Sequence, residues 1–226
     1  MLYKEWFYKR FDTSLINPDA TDEDVVKFVA HCKEWSEMFA GLAFNVHHVS
    51  LAKKLLKGTD IKVCAPIAYP LGNLPTEIKI AQSKNAIKNG ATQLDIVMAV
   101  DALIENDFDT ARKDAEEIVK AVGSKVESLS LIANIAYLAE EQKLKAYEIV
   151  RDSGATVFKT NTGYGLVTDP KEVAFIRKKM GHTIKIMVAG GVRSFERAVE
   201  VYEAGADLIA TSTPFAIFDA FKRIDK

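Results

Sequence analysis

Cysteine is scarce, with only Cys32 and Cys64 in 226 residues. Two thiols make no disulfide framework, so the expected compartment is the cytosol. Charge of one sign is lacking too. Thirty Lys and Arg stand against 31 Asp and Glu, for a formal net charge of −1, which leaves no basic excess to neutralise a nucleic-acid backbone. A local basic pocket for a small phosphorylated metabolite is compatible with that balance. The longest apolar runs reach about ten residues, half of the roughly 20 that a membrane-spanning helix needs. The opening stretch MLYKEWFYKRFD mixes charges with aromatics and has no apolar core or small-residue cleavage site, so no signal peptide is expected. No Pro-, Gly- or Ser-rich linker marks a boundary. A single domain over residues 1–226 is therefore expected. Neither the four histidines nor the cysteines have metal-ligand spacing.

Alternation is what the sequence does have. Short apolar, partly β-branched runs occupy 41–46, 61–69, 93–100, 127–135, 156–162, 183–190 and 207–213, with a weaker one at 11–15. Helical periodicity fills 75–89, 107–122, 138–152, 170–180 and 194–204, and another helix opens at Thr21, with Asp22, Glu23 and Asp24 suited to the dipole of its first turn. Three junctions share a pattern: Asn89-Gly90-Ala91-Thr92, Ser153-Gly154-Ala155-Thr156 and Ala204-Gly205-Ala206-Asp207. In each, glycine suits the left-handed residue that ends a helix before an inward-packing strand. Strands separated by helices imply parallel βαβ units. Eight units in 226 residues leave about 28 residues each, the size of a compact (β/α)8 TIM barrel of the α/β class. An open doubly wound sheet is the competing architecture, weakened by the absence of G-x-G-x-x-G after the first strand.

In either architecture reactive side chains belong at the C-terminal ends of strands. Lys159 sits between Phe158 and Thr160 in an otherwise uncharged run. Desolvation would lower its pKa and suit it to act as a Schiff-base nucleophile. The alternative is a structural lysine paired with a carboxylate. Asp95, among Leu94, Ile96 and Val97, is the obvious partner, either for proton transfer at an imine or in a buried ion pair. Asp12 is a third candidate, or else it caps the turn before Pro18. Ala189-Gly190-Gly191-Val192, ahead of a helix that Ser194 can cap, and Thr211-Ser212-Thr213-Pro214 both suit an anion, as adjacent turns at the last two barrel strands. Either turn alone also reads as ordinary punctuation. Arg193 adds a charge there or lies on the surface. His47 and His48 follow a strand end, His31 reads as helical surface and His182 as loop. Cys64 reads as core. Trp6, Trp35, Phe7 and Phe11 read as core or as an oligomer contact, and exposed aromatics near the N-terminus leave a homodimer open.

Along nearly its whole length the chain resembles the deoxyribose-phosphate aldolase family. The resemblance rests on FDTSLINPDATDEDV (11–25), VCAPIAYPLGNLPTEIK (63–79), NGATQLDIVM (89–98), GATVFKTNTGYG (154–165), AGGVRSFERA (189–198) and GADLIATSTP (205–214), in this order and spacing. It implies a TIM-barrel class I aldolase, a lyase that reversibly cleaves 2-deoxyribose 5-phosphate to acetaldehyde and glyceraldehyde 3-phosphate. No metal or organic cofactor is implied. By position, Lys159 is then the Schiff-base lysine and Asp95 the acid/base partner working with an ordered water. Asp12, Thr162, Gly190, Gly191, Ser212 and Thr213 line the substrate and phosphate sites. The implied partner is a small phosphorylated sugar or aldehyde, not a nucleic acid or a membrane.

Several positions depart from the family pattern. A second active-site lysine, expected to keep the Schiff-base amine unprotonated, is replaced by Met187. A further lysine falls at Ser130, a glutamate at Asn134, a lysine at Tyr164 and a glycine at Ala210. A different phosphorylated sugar, or a barrel that binds without cleaving, are the alternatives these departures open. Strand alternation puts Lys185 on the same face as Met187, so it either substitutes for the missing amine or reaches solvent at the barrel bottom.

Overall fold

Eight parallel strands alternate with helices in the computed structural model, which describes residues 4–224. The strands are β1 Phe11–Leu15, β2 Phe39–Phe44, β3 Lys62–Ile67, β4 Gln93–Val97, β5 Ser128–Ile132, β6 Val157–Lys159, β7 Lys185–Ala189 and β8 Leu208–Ala210. The helices are α1 Lys4–Phe7, α2 Asp22–Lys33, α3 Val49–Leu55, α4 Thr76–Lys88, α5 Val100–Ile104, α6 Phe108–Val122, α7 Glu140–Ser153, α8 Pro170–Met180, α9 Phe195–Glu203 and α10 Pro214–Ile224. Neighbouring strands pair in chain order, and β8 returns to β1 through Phe11↔Ile209 and Asp12↔Ala210. That last pairing closes the sheet into a (β/α)8 barrel and excludes the open doubly wound alternative.

Local chemistry explains the boundaries. At the start of α2 the Thr21 hydroxyl accepts from the Asp24 backbone N–H at 3.2 Å, and the Asp24 carboxylate accepts from the Thr21 N–H at 2.9 Å, a reciprocal capping box. Gly90, Gly154 and Gly205 take φ of +108°, +86° and +108°, as the three repeated junctions require. The apolar runs outlast the strands at their C-terminal ends, where the run over 156–162 stops pairing after Lys159 and the run over 207–213 after Ala210. Thr160, Asn161, Thr162 and Thr211, just beyond those points, are buried in the mouth loops, Thr160 and Asn161 completely so, whereas Ser212 and Thr213 are exposed. Helices α3 and α5 are too short to show periodicity, and α10 follows the proline of the last turn.

The main core lies between the strands' outer faces and the helices. Inside the barrel, Val157, Met187 and Leu208 form a small plug with Ala40 and Ala210. The N-terminal aromatics belong to the outer core. Phe7 stacks on Phe221 at 4.5 Å, Phe11 meets Phe218 edge-on, and Trp35 is buried against Phe218. Phe7, Phe11 and Trp35 are therefore core, whereas Tyr8 is exposed; the Trp6 side chain lies outside the described set. No described helix is long and apolar enough to cross a membrane.

Candidate active site

The C-terminal ends of the strands surround a cavity of about 270 Å³. Lys159 ends β6 and Asp95 stands mid-way along β4, both buried, with the Lys159 Nζ 2.5 Å from the Asp95 Oδ2. Strand β5 runs between them. Its Ser130 is the register partner of both Asp95 and Val157, so the intervening position carries only a hydroxyl and the long lysine can span to the acid. Burial pulls the Lys159 ammonium down, but the charge of the Asp95 carboxylate and its hydrogen bond push harder, and its pKa stands above the ordinary lysine range. The expectation of a lowered pKa is thus corrected. Desolvation is present, yet a contact ion pair outweighs it.

Asp12, on β1, is 4 % exposed. Its Oδ2 accepts from the Gln93 Nε2 at 2.6 Å, and the same nitrogen stands 3.4 Å from the Asp95 Oδ1. Its Oδ1 is buried with no hydrogen-bond partner among the described residues. Burial, followed by repulsion from Asp95, raises the Asp12 carboxyl from 3.8 to about 6. A Cβ at Gly41 on β2 would stand 2.8 Å from the Gln93 Oε1 and 3.2 Å from both Asp12 oxygens. Glycine there leaves room for the acid–amide pair.

Of the eight residues singled out from the sequence, Lys159, Asp95, Asp12, Thr162, Gly190, Gly191 and Ser212 line this one cavity, and Thr213 does not. The Thr213 N–H is instead turned to the Thr211 hydroxyl at 3.1 Å. That hydroxyl donates to the Val192 carbonyl at 2.6 Å and ties the last two turns together. Gly190 and Gly191 adopt φ of +93° and +84°. Added Cβ atoms there would lie 2.2 Å from the Leu166 carbonyl oxygen and 2.6 Å from Val167 Cγ1. The close approach demanding glycine is therefore to the loop after β6, as well as to whatever the cavity holds. Arg193 lines the same rim and, among the described residues, is the only other Lys or Arg lining the cavity beside Lys159.

The sequence does not single out Tyr69, and it marks Tyr164 and Asn134 only as departures from the family pattern. Tyr69 donates its hydroxyl to the Thr162 carbonyl, and burial first of all pushes its phenol up to about 12. Tyr164 meets Tyr69 edge-on at 5.7 Å at the mouth, where a wider cleft opens past Ile16 and Pro66. Asn134, at φ +50°, accepts from the Thr162 N–H at 3.0 Å and so fixes the loop that follows Lys159. These are backbone contacts between distant segments, which no local motif announces.

Several candidates fall elsewhere. Met187 is buried as the register partner of Lys159, with no charge to offer. Lys185 pairs with Val157, is exposed, and lines a cavity at the opposite mouth with Lys9, Lys62 and His182. It stands at the barrel bottom and not beside the Lys159 amine. His48 is buried in a turn, its Nε2 3.5 Å from Asp22, and His31 stacks on Phe215. Cys64 is buried beside Asp95, and desolvation raises its thiol well above the ordinary value. An inert thiol fits that environment. Among the described residues no group of three or more His, Cys, Asp or Glu is placed to hold a metal ion.

Comparison with known proteins agrees with this layout. The family model described as "DeoC/LacD family aldolase" matches residues 46–211. The chain belongs to the DeoC/LacD aldolase family. The deoxyribose-phosphate aldolase of Thermococcus gammatolerans is 35% identical over 220 residues, covering 96% of this chain and 97% of the relative. That of Thermococcus kodakarensis is 36% identical over 211 residues, covering 92% and 93%. Among solved structures, the aldolase QR15 superposes with a TM-score of 0.88 at 31% identity, covering 97% of each chain. The deoxyribose phosphate aldolase of Aeropyrum pernix, described as a unique tetrameric structure, gives 0.85 at 27% identity over 96% of this chain and 92% of that one. The fold and lyase class of this family member are those the segment order implied.

Proposed function

We propose that this aldolase reversibly cleaves 2-deoxyribose 5-phosphate to acetaldehyde and glyceraldehyde 3-phosphate through an imine on Lys159. The observation that carries the reading is the buried Lys159–Asp95 pair at 2.5 Å, in a cavity that also contains the glycine and hydroxyl turns after β7 and β8. A lysine held as an ammonium cannot attack a carbonyl. Asp95 stands where it can take that proton when substrate displaces the pair, so the contact that raises the resting pKa also provides the base. The amine then attacks the carbonyl carbon, and the iminium that follows draws electrons from the bond between its α and β carbons. As that bond breaks, the β-hydroxyl gives its proton to a base and becomes the carbonyl of glyceraldehyde 3-phosphate. The enamine left on Lys159 is protonated at carbon and hydrolysed to acetaldehyde. The backbone donors around Gly190, Gly191 and Ser212, with Arg193 at the rim, suit the phosphate. Lysine supplies the electron sink, so the reaction calls for no metal or organic cofactor. Cys32 and Cys64 as buried free thiols fit a cytosolic setting.

The test is borohydride trapping with 2-deoxyribose 5-phosphate and with acetaldehyde, read by peptide mass. A reduced adduct on Lys159, absent in Lys159→Arg, is expected. No adduct with either compound on folded protein refutes imine chemistry. A second reading, a barrel that binds sugar phosphates without cleaving them, draws on Met187 facing Lys159 and on the raised ammonium. An adduct without release of glyceraldehyde 3-phosphate would favour it.

A further inference from the structure

The cavity holds two carboxyl groups in unlike surroundings. Asp95 faces the Lys159 ammonium directly and shares its charge with it. Asp12 has no cation in contact among the described residues. It receives one hydrogen bond on Oδ2, from the neutral Gln93 amide, and nothing on Oδ1. One amide nitrogen thus spans both acids, and its hydrogens favour an acceptor oxygen on each side. Two ionised carboxylates with one ammonium would leave this buried site with an unbalanced negative charge, whereas one proton on Asp12 makes it neutral. Acids whose environments push them apart in this way divide into a proton donor and a proton acceptor.

We infer that Asp12 is the general acid of the site, carrying its proton on Oδ1, while Asp95 is the base and Gln93 positions the pair. The inference rests on the imine reading and adds a role to it. The proton balance closes within the site. The Lys159 ammonium gives one proton to Asp95, and the amine nitrogen forms its bond to the carbonyl carbon as the C=O π pair moves to oxygen. A second proton passes from that nitrogen to the oxygen, giving a neutral carbinolamine. Asp12 then protonates the hydroxyl, the C–O bond breaks, and water leaves as the nitrogen lone pair forms the C=N bond. The products are an iminium cation, neutral Asp95, the Asp12 carboxylate and one water. The total charge is unchanged, and the new cation gains the Asp12 anion as a counter-charge. With Met187 in place of a second amine, no other proton donor of matching affinity faces Lys159 from the neighbouring strand.

The charged and titratable groups bearing on Asp12 are Asp95 on β4, Lys159 on β6, and Lys62 and Cys64 on β3, while β2 and β8 present Gly41 and Ala210. A proton held there to about pH 6 supports the donor role, because an acid poised near the working pH transfers most efficiently.

Two readouts test it. Infrared difference spectra of the resting enzyme across pH 5–8 should show one buried carboxylic acid losing its proton near pH 6, with that band gone in Asp12→Asn. Borohydride trapping of acetaldehyde on Lys159 should slow as pH rises through the same range. In Asp12→Asn it should be about 10²-fold slower and flat with pH. In Gln93→Leu, which removes a bond favouring the Asp12 anion, both the band and the alkaline limb should move to higher pH. Trapping in Asp12→Asn at the wild-type rate and pH dependence would overturn the inference while leaving the imine reading intact. No trapping in the wild type would overturn the imine reading, and the infrared band would still report where Asp12 titrates. A band that persists in Asp12→Asn would also overturn the assignment.

Discussion

Replacing Asp12 by Asn should make the protein more stable at neutral pH, although the side chain is buried. The folded protein holds the Asp12 proton more tightly than an unfolded chain does, with the carboxyl raised from 3.8 to about 6. A raised acid stabilises the fold fully only below its unfolded value, and that contribution falls as pH climbs through the window between the two values. At about 1.4 kcal/mol per tenfold in proton affinity, the window from 3.8 to about 6 amounts to about 3 kcal/mol. Asparagine has the shape of the protonated acid, still accepts from Gln93, and carries no charge to desolvate. The variant should therefore gain up to about 3 kcal/mol above pH 7, or roughly 6–12 °C in Tm for a chain of this length, and the gain should shrink toward zero near pH 4. Thermal unfolding followed by circular dichroism at half-unit pH steps checks this. A gain of the same size at every pH, or a loss at pH 7.5, would refute the electrostatic account of the site.

Asp95→Asn leaves the Lys159 amine without its anion, so desolvation governs and the lysine titrates lower. Amine labelling at neutral pH should speed up while sugar-phosphate cleavage falls at least about 10²-fold. Met187→Lys places a cation on the strand beside Lys159. Repulsion should lower the resting lysine's proton affinity and raise the trapping rate at pH 7 by about tenfold, and an unchanged rate would show that the two amines do not meet. Gly190→Ala must move the loop after β6, since its Cβ would stand 2.2 Å from the Leu166 oxygen at a φ of +93°. A stability loss of about 1–3 kcal/mol by urea titration is expected, with a raised KM. Arg193→Ala should raise KM for a phosphorylated substrate several-fold and leave an unphosphorylated aldehyde unaffected, with the difference shrinking as salt is added.

Much of this was legible in the sequence, because local rules generate local elements. Apolar runs at regular spacing, the Thr21 cap and the glycines at 90, 154 and 205 reflect backbone conformations that any tertiary context must respect. A barrel adds a rule of position, since reactive groups gather at the C-terminal strand ends, and reading those ends found Lys159, Asp95 and Asp12. The tertiary structure alone decided which of them meet and in what state. Closure through β1 and β8 depends on the accumulated tilt of all eight strands. The state of Lys159 depends on a competition between burial and a 2.5 Å ion pair, with residues 64 positions apart, and composition is silent on such distances. The same holds for Gln93 between two acids and for Asn134 fixing the loop at Thr162. Sequence periodicity determined what each segment becomes. Proton affinity and positioning follow from which segments the closed barrel brings within a few ångströms, because electrostatic and hydrogen-bond energies depend on distance in space and not on separation along the chain.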